Sequence, residues 1–171
     1  MNIQKIAVIG PESTGKSLLS EALAARLHTV WVPEYARTYL ENLNRTYIQN
    51  DLLTIAKGQI QQEDALLPKA NKYLICDTDL YVLKVWSEYK YNACHNWILQ
   101  QIAQRTYDTY ILTYIDTVWE HDPLREHPQP SERAYFYSIY QDIVLNSGVK
   151  WIDARGSMSE RIDLCLKAIH T

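Results

Sequence analysis

Short, nearly continuous apolar runs alternate along the chain with longer stretches whose apolar residues recur every three or four positions. The first rhythm suits a strand buried on both faces, and the second an amphipathic helix. The runs at 3–9 (IQKIAVI), 29–33 (TVWVP), 72–77 (KYLICD), 109–114 (TYILTY) and 149–153 (VKWID) are predicted strands. The stretches at 16–27, 35–43, 51–67, 79–91, 94–105, 132–146 and 157–170 are predicted helices. Leu18, Leu19, Ala22, Leu23 and Leu27 carry the helical spacing of the first. Pro68 supplies a stop signal, Ser147-Gly148 closes the sixth helix, and Ser157 suits the N-cap of the last. Strands separated by helices pair in parallel, and right-handed crossovers lay the helices over both sheet faces. The expected fold is therefore α/β and doubly wound. It has a five-stranded, mostly parallel sheet with helices on both faces, in one domain over 1–171.

Composition narrows the class. The chain has 171 residues, 47% hydrophobic and 22% charged, enough to bury a core and unlike a disordered or fibrous chain. The net charge of −3 argues against a protein whose main task is gripping nucleic acid. Cys76, Cys94 and Cys165 are scattered without a C-x-x-C pair, which fits neither a disulfide framework nor a zinc site. With no secretory leader and no apolar run long enough to span a bilayer, the expectation is a cytoplasmic protein without a membrane partner. Tyr 13 and Trp 5 against Phe 1 hint at half-buried binding surfaces, because Tyr and Trp carry a polar handle.

The sharpest motif is Gly10-Pro11-Glu12-Ser13-Thr14-Gly15-Lys16-Ser17, a G-x-x-x-x-G-K-[ST] phosphate loop between a predicted strand and a predicted helix. Gly10 and Gly15 permit the turns and close backbone approach that a Cβ blocks. Lys16 offers a point charge to the β/γ-phosphates, and the Ser17 hydroxyl suits Mg²⁺, a hard ion that takes oxygen ligands. Residues 10–18, ending at Leu18, thus form the expected ATP and Mg²⁺ site.

Acids at the ends of other strands can complete it, since open α/β sheets bind ligands beyond their carboxyl ends. Asp77, in Cys76-Asp77-Thr78-Asp79, stands where a carboxylate reaches Mg²⁺ beside Ser17. Thr78 replaces the Glu that follows in many ATP hydrolases, which weakens a motor reading and leaves Asp79 to face a second substrate or to cap the next helix. Glu34, in Pro33-Glu34-Tyr35-Ala36-Arg37, can accept the proton of an attacking hydroxyl, or simply favour a helix N-terminus. Arg37, one turn on, can hold a phosphate or fix that carboxylate. A lid-like segment at about 117–133 carries Asp122, Arg125 and Arg133, and Arg125 is the candidate for stabilising transferring charge. His121 and His127 beside them read as surface residues. Tyr81, Val82, Val85, Trp86 and Tyr89 share one helix face, which is either core or a surface on which a flat substrate ring stacks. Gln59, Gln61 and Gln62 present either sugar contacts or a polar helix face.

Taken in order, GPESTGKS, EYAR, a strand ending in DTD, the D-P-L-R segment and the closing W-I-D strand resemble the ribosylnicotinamide kinase domain of NadR-type bacterial NAD-biosynthesis proteins. The resemblance implies a nucleoside-kinase-like P-loop NTPase that transfers phosphate from ATP to the 5′-hydroxyl of nicotinamide riboside. It implies Lys16, Arg125 and either Glu34 or Asp77 as catalytic residues, and Ser17 and Asp77 on Mg²⁺. Glu34, Arg37, Asp79, Trp86 and Tyr89 would surround the ribosyl nucleoside. The chain starts a few residues before the phosphate loop and lacks an H-x-G-H motif, so neither a helix-turn-helix nor a nucleotidyltransferase activity is expected. A kinase for another nucleoside or small alcohol, and a non-enzymatic ATP-dependent switch, are the alternatives; the oligomeric state is open.

Overall fold

Each predicted strand is present in the computed structural model, which describes residues 2–170. The strands are β1 (Gln4–Ile9), β2 (Trp31–Val32), β3 (Tyr73–Asp77), β4 (Thr109–Thr113) and β5 (Lys150–Ala154). They form one sheet in the order β2-β3-β1-β4-β5. Every pairing is parallel, so the sheet is wholly rather than mostly parallel. The helices are α1 (Lys16–Arg26), α2 (Tyr35–Glu41), α3 (Gln49–Leu66), α4 (Leu80–Tyr91), α5 (Asn96–Gln104), α6 (Pro130–Asn146) and α7 (Met158–Ile169). A short 3₁₀ turn follows α3. α6 begins two residues before its predicted start, with Pro130 in its first turn, where the missing N–H is not needed.

Side chains alternate across the sheet as the pleat requires. Ala7, Ile9, Leu74, Cys76 and Leu112 face one side, where α6 lays Phe136, Tyr137, Tyr140 and Val144 on them. Ile6, Val8, Ile75, Ile111 and Ile152 face the other, packed by Leu19 and Leu23 of α1 and Cys165 of α7. At about 2 kcal/mol per large buried side chain, these two layers supply most of the folding drive. A third apolar cluster joins α2, α3, α4 and α5 through Ala36, Leu52, Ile55, Leu83 and Ile98. It supports a wall of helices beside the β2 edge.

Strand order and register place the chemistry. β1 lies between β3 and β4, so the sheet order reverses around it and a crevice opens at its carboxyl end. Val8 pairs with Asp77, Ile9 with Leu112, and Val32 with Cys76. The segments beginning at Gly10, Glu34, Asp77 and Thr113 therefore emerge side by side.

Candidate active site

The phosphate loop is braced from below by buried groups. Gly10 has φ +143°, and a Cβ there would strike Thr113 at the end of β4, with the Thr113 carbonyl oxygen at 2.9 Å. The fully buried Thr14 hydroxyl donates to the Pro11 carbonyl at 2.8 Å and meets the Thr113 hydroxyl at 2.6 Å. Gly15 takes φ +80° as the N-cap of α1. The Lys16 ammonium folds back onto the Pro11 carbonyl at 2.8 Å.

The sequence reading missed Arg161, the largest of the brace residues. It projects from α7 and is 0% exposed. Its guanidinium donates to the carbonyls of Thr14 (2.6 Å), Gly156 (3.0 Å) and Tyr114 (3.1 Å), and pairs with Asp116. One cation thus ties the loops after β1, β4 and β5 together. The available signal was its spacing: Arg161 shares an α7 face with Met158 and Cys165, both at apolar positions.

Asp77 sits behind the loop, 1% exposed. Its Oδ2 accepts from the Ser17 hydroxyl at 2.5 Å, while the buried Oδ1 has no partner. Burial, then the charge of Glu34, pushes its carboxyl up to about 6, against the Ser17 hydrogen bond and the Lys16 charge. An unsatisfied buried oxygen beside a serine hydroxyl is a donor set that fits Mg²⁺, which takes few protein ligands and keeps several waters. Among the described residues no group of three or more His, Cys, Asp or Glu side chains gathers as an all-protein metal cage.

Glu34 takes the N-cap position of α2 without making a capping bond, and it lines the cleft. α3 holds its turn: Gln59 accepts from the Tyr35 N–H at 2.8 Å, and Gln62 donates to the Pro33 carbonyl at 3.2 Å. Gly58 leaves room for the Tyr35 ring, which any Cβ there would strike. The glutamines therefore position Glu34 through backbone contacts, which neither sequence reading had them doing.

Two expectations need correction. Asp79 does not line the cleft. It is 2% exposed, caps α4 by accepting from the N–H groups of Tyr81 (2.9 Å) and Val82 (3.4 Å), and takes the Tyr110 hydroxyl at 3.2 Å. The orphan amides at the start of α4 claim it, and burial pushes its carboxyl up to about 7. His127 is not a surface residue. It lines the cleft with its ring 5.2 Å from that of Tyr89 and 4.7 Å from that of Phe136.

One cleft of about 400 Å³ runs from residues 10–18 past Glu34 and Arg37 to a wall of Trp86, Tyr89, Phe136 and Tyr140. Val82 and Val85 join that wall; Tyr81 instead packs on Tyr110, at 6.4 Å between ring centroids. The segment 114–129 roofs the cleft and is fastened at both ends. On the loop side, Ser13 accepts at its hydroxyl from the Glu120 N–H (2.9 Å) and Arg125 (3.2 Å), and at its carbonyl from Thr117 (2.7 Å) and Arg133 (3.3 Å). One oxygen of Glu12 accepts from the N–H groups of Glu126 (3.0 Å) and His127 (3.1 Å). On the helical side, Asp122 holds Arg37 at 2.9 Å, while Glu126 accepts from Lys90 at 2.9 Å and from the Tyr47 hydroxyl at 2.8 Å. Glu12 and Ser13 thus turn their side chains to the roof.

Among the described residues no helix is long and apolar enough to cross a membrane. The chain is 25% identical over 159 residues to the trifunctional NAD biosynthesis/regulator protein NadR of Salmonella typhimurium. That match covers 90% of this chain and 38% of the relative's length. A crystal structure of NadR protein in complex with NR superposes with a TM-score of 0.82 at 20% identity, over 98% of this chain and 51% of that one. Thymidylate kinase from Ehrlichia chaffeensis matches with a TM-score of 0.68 at 15% identity, over 99% and 100% of the two chains. The parallel sheet and its helices thus have the fold of NadR and of thymidylate kinase. A family model described as an AAA domain matches residues 5–161, and the chain belongs to that family, AAA_28.

Proposed function

We propose that this protein is an ATP-dependent kinase that phosphorylates the 5′-hydroxyl of nicotinamide riboside. The observation that carries the reading is a roofed cleft that joins a phosphate loop to an aromatic-walled chamber and is lined by the Glu34 carboxylate, which makes no capping bond. A nucleotide switch needs the loop alone; a kinase needs the chamber as well.

In this reading Lys16 and the loop amides hold the donor phosphates. Ser17 and Asp77 Oδ1 would hold Mg²⁺, which when bound would neutralise phosphate charge. Glu34 accepts the hydroxyl proton; Asp77, buried and bonded to Ser17, is the poorer base. Arg125, bonded to Ser13 beside the loop, adds positive charge there. Positioning and electrostatics supply most of the rate, because phosphoryl transfer asks little covalent chemistry of the protein. The nicotinamide ring of the riboside is cationic, and the ring faces of Trp86, Tyr89, Phe136 and Tyr140 favour a cation, as does the carboxylate of Glu34. The likeness to NadR solved with NR supports the same acceptor.

The test is a coupled ADP-release assay with Mg-ATP and nicotinamide riboside, adenosine, uridine, thymidine or no acceptor. ADP formation dependent on nicotinamide riboside, with nicotinamide mononucleotide by mass, is the expected result. Release with a different acceptor keeps the kinase and discards the substrate. ATP binding without acceptor-dependent release overturns both.

A further inference from the structure

Three cations line the cleft: Lys16, Arg37 and Arg125. Lys16 belongs to the phosphate loop, and Arg125 is bonded to Ser13 of that loop and to the Glu120 carbonyl. Arg125 also comes within 4.0 Å of the Asp122 carboxylate of the roof. Arg37 stands on the acceptor side. It lies three residues after Glu34 at the start of α2, so the two side chains share one helix face. A phosphate newly attached to a hydroxyl held by Glu34 would come to lie next to this guanidinium. Yet the guanidinium is already taken. Asp122 of the roof holds it at 2.9 Å, and Glu41 adds a second carboxylate at 3.8 Å. Asp122 is itself fixed: its Oδ1 accepts from the Leu124 N–H at 2.9 Å, and its carbonyl accepts from the Arg125 N–H at 3.0 Å.

We propose that Asp122 is a specificity-determining residue: by holding Arg37 it makes the acceptor site take an unphosphorylated alcohol and bind the monophosphate product weakly. The proposal rests on the kinase reading of the cleft. With Arg37 held by Asp122, a phosphate on the acceptor beside Glu34 gains no contact from the Arg37 guanidinium. The uncharged 5′-hydroxyl needs no such contact. Release of the finished monophosphate is then favoured by the same pair that admits the nucleoside.

Asp122→Asn isolates the charge. The amide oxygen still accepts from Leu124, so the turn is kept, but the amide no longer holds Arg37. With the phosphate loop filled by ADP, affinities are measured by calorimetry for three pairs: nicotinamide riboside and its mononucleotide, thymidine and thymidylate, adenosine and AMP. The readout is the affinity of each monophosphate relative to its own nucleoside, which cancels any general loosening of the roof. For whichever pair binds, Asp122→Asn is expected to raise that ratio about tenfold, the effect of one charge-assisted arginine–phosphate contact. Adding Arg37→Met should abolish the gain. An unchanged ratio in Asp122→Asn, or a gain that persists in the double variant, overturns the proposal. A shift seen only with a pair other than the nicotinamide one supports it while removing nicotinamide riboside as the acceptor. Binding of no pair by either protein overturns both readings.

Discussion

The two ends of the cleft are built differently. The phosphate loop is one continuous segment whose side chains and backbone are pinned from beneath by Thr113 and Arg161, both buried. The acceptor end is assembled from α2, α4, α6 and the roof, segments far apart in the chain, and much of it is held by ion pairs at the surface. A site braced by buried hydrogen bonds keeps its shape whether or not a ligand is present. One closed by exposed pairs, each worth about 0–1 kcal/mol, opens and closes at low cost. In the proposed kinase the donor end is thus the rigid one, and the acceptor end the one that opens for admission and release.

Substitutions at each end should separate these roles. The largest effect is expected of Glu34→Gln, which removes the proposed base: acceptor-dependent ADP formation should fall about a hundredfold or more. Lys16→Ala should reduce turnover at least tenfold, with the fold intact by circular dichroism. Full activity in that variant would contradict the donor assignment. Gly58→Ala drives a Cβ into the Tyr35 ring and shifts the turn that carries Glu34. Turnover should fall about tenfold while ADP affinity, read by calorimetry, holds; a matched loss of both would mean that the two ends are not separable.

The smallest effect is a pH dependence. Burial and the charge of Glu34 raise the Asp77 carboxyl to about 6. Below that pH the group is protonated and a poor Mg²⁺ ligand; above it the group is ionised. Mg²⁺-supported ADP affinity should therefore rise about fourfold from pH 5.5 to 7.5 and flatten above that. Asp77→Asn should lose this dependence and weaken the Mg²⁺-supported affinity. A pH-independent affinity in the wild type would show that Asp77 is not the ligand.

The same contrast explains what could be read in the sequence. The strands, the helices and the phosphate loop are local patterns, and periodicity or a single motif exposes them. The acceptor end is tertiary. His127 follows a charged, Pro-rich stretch that looks like any surface loop, and only the placement of α4 and α6 brings it against Tyr89 and Phe136. Asp79 had two chemically reasonable fates, and the unpaired amides of α4 decided between them. Arg161 looks like an exposed helical charge until three loops converge on it. Gly58 carried a signal that the sequence reading left unused: a glycine inside a helical pattern costs stability, here offset by the room it leaves for the Tyr35 ring.

In the proposed reading nucleotide binding resides in the braced loop and acceptor chemistry at Glu34. The most direct measurement is the Mg-ADP dissociation constant of Glu34→Gln beside that of the wild type, by calorimetry on the protein used for turnover. The two constants are expected within about twofold of each other while acceptor-dependent turnover is lost. A loss of nucleotide affinity as large as the loss of turnover would contradict that reading.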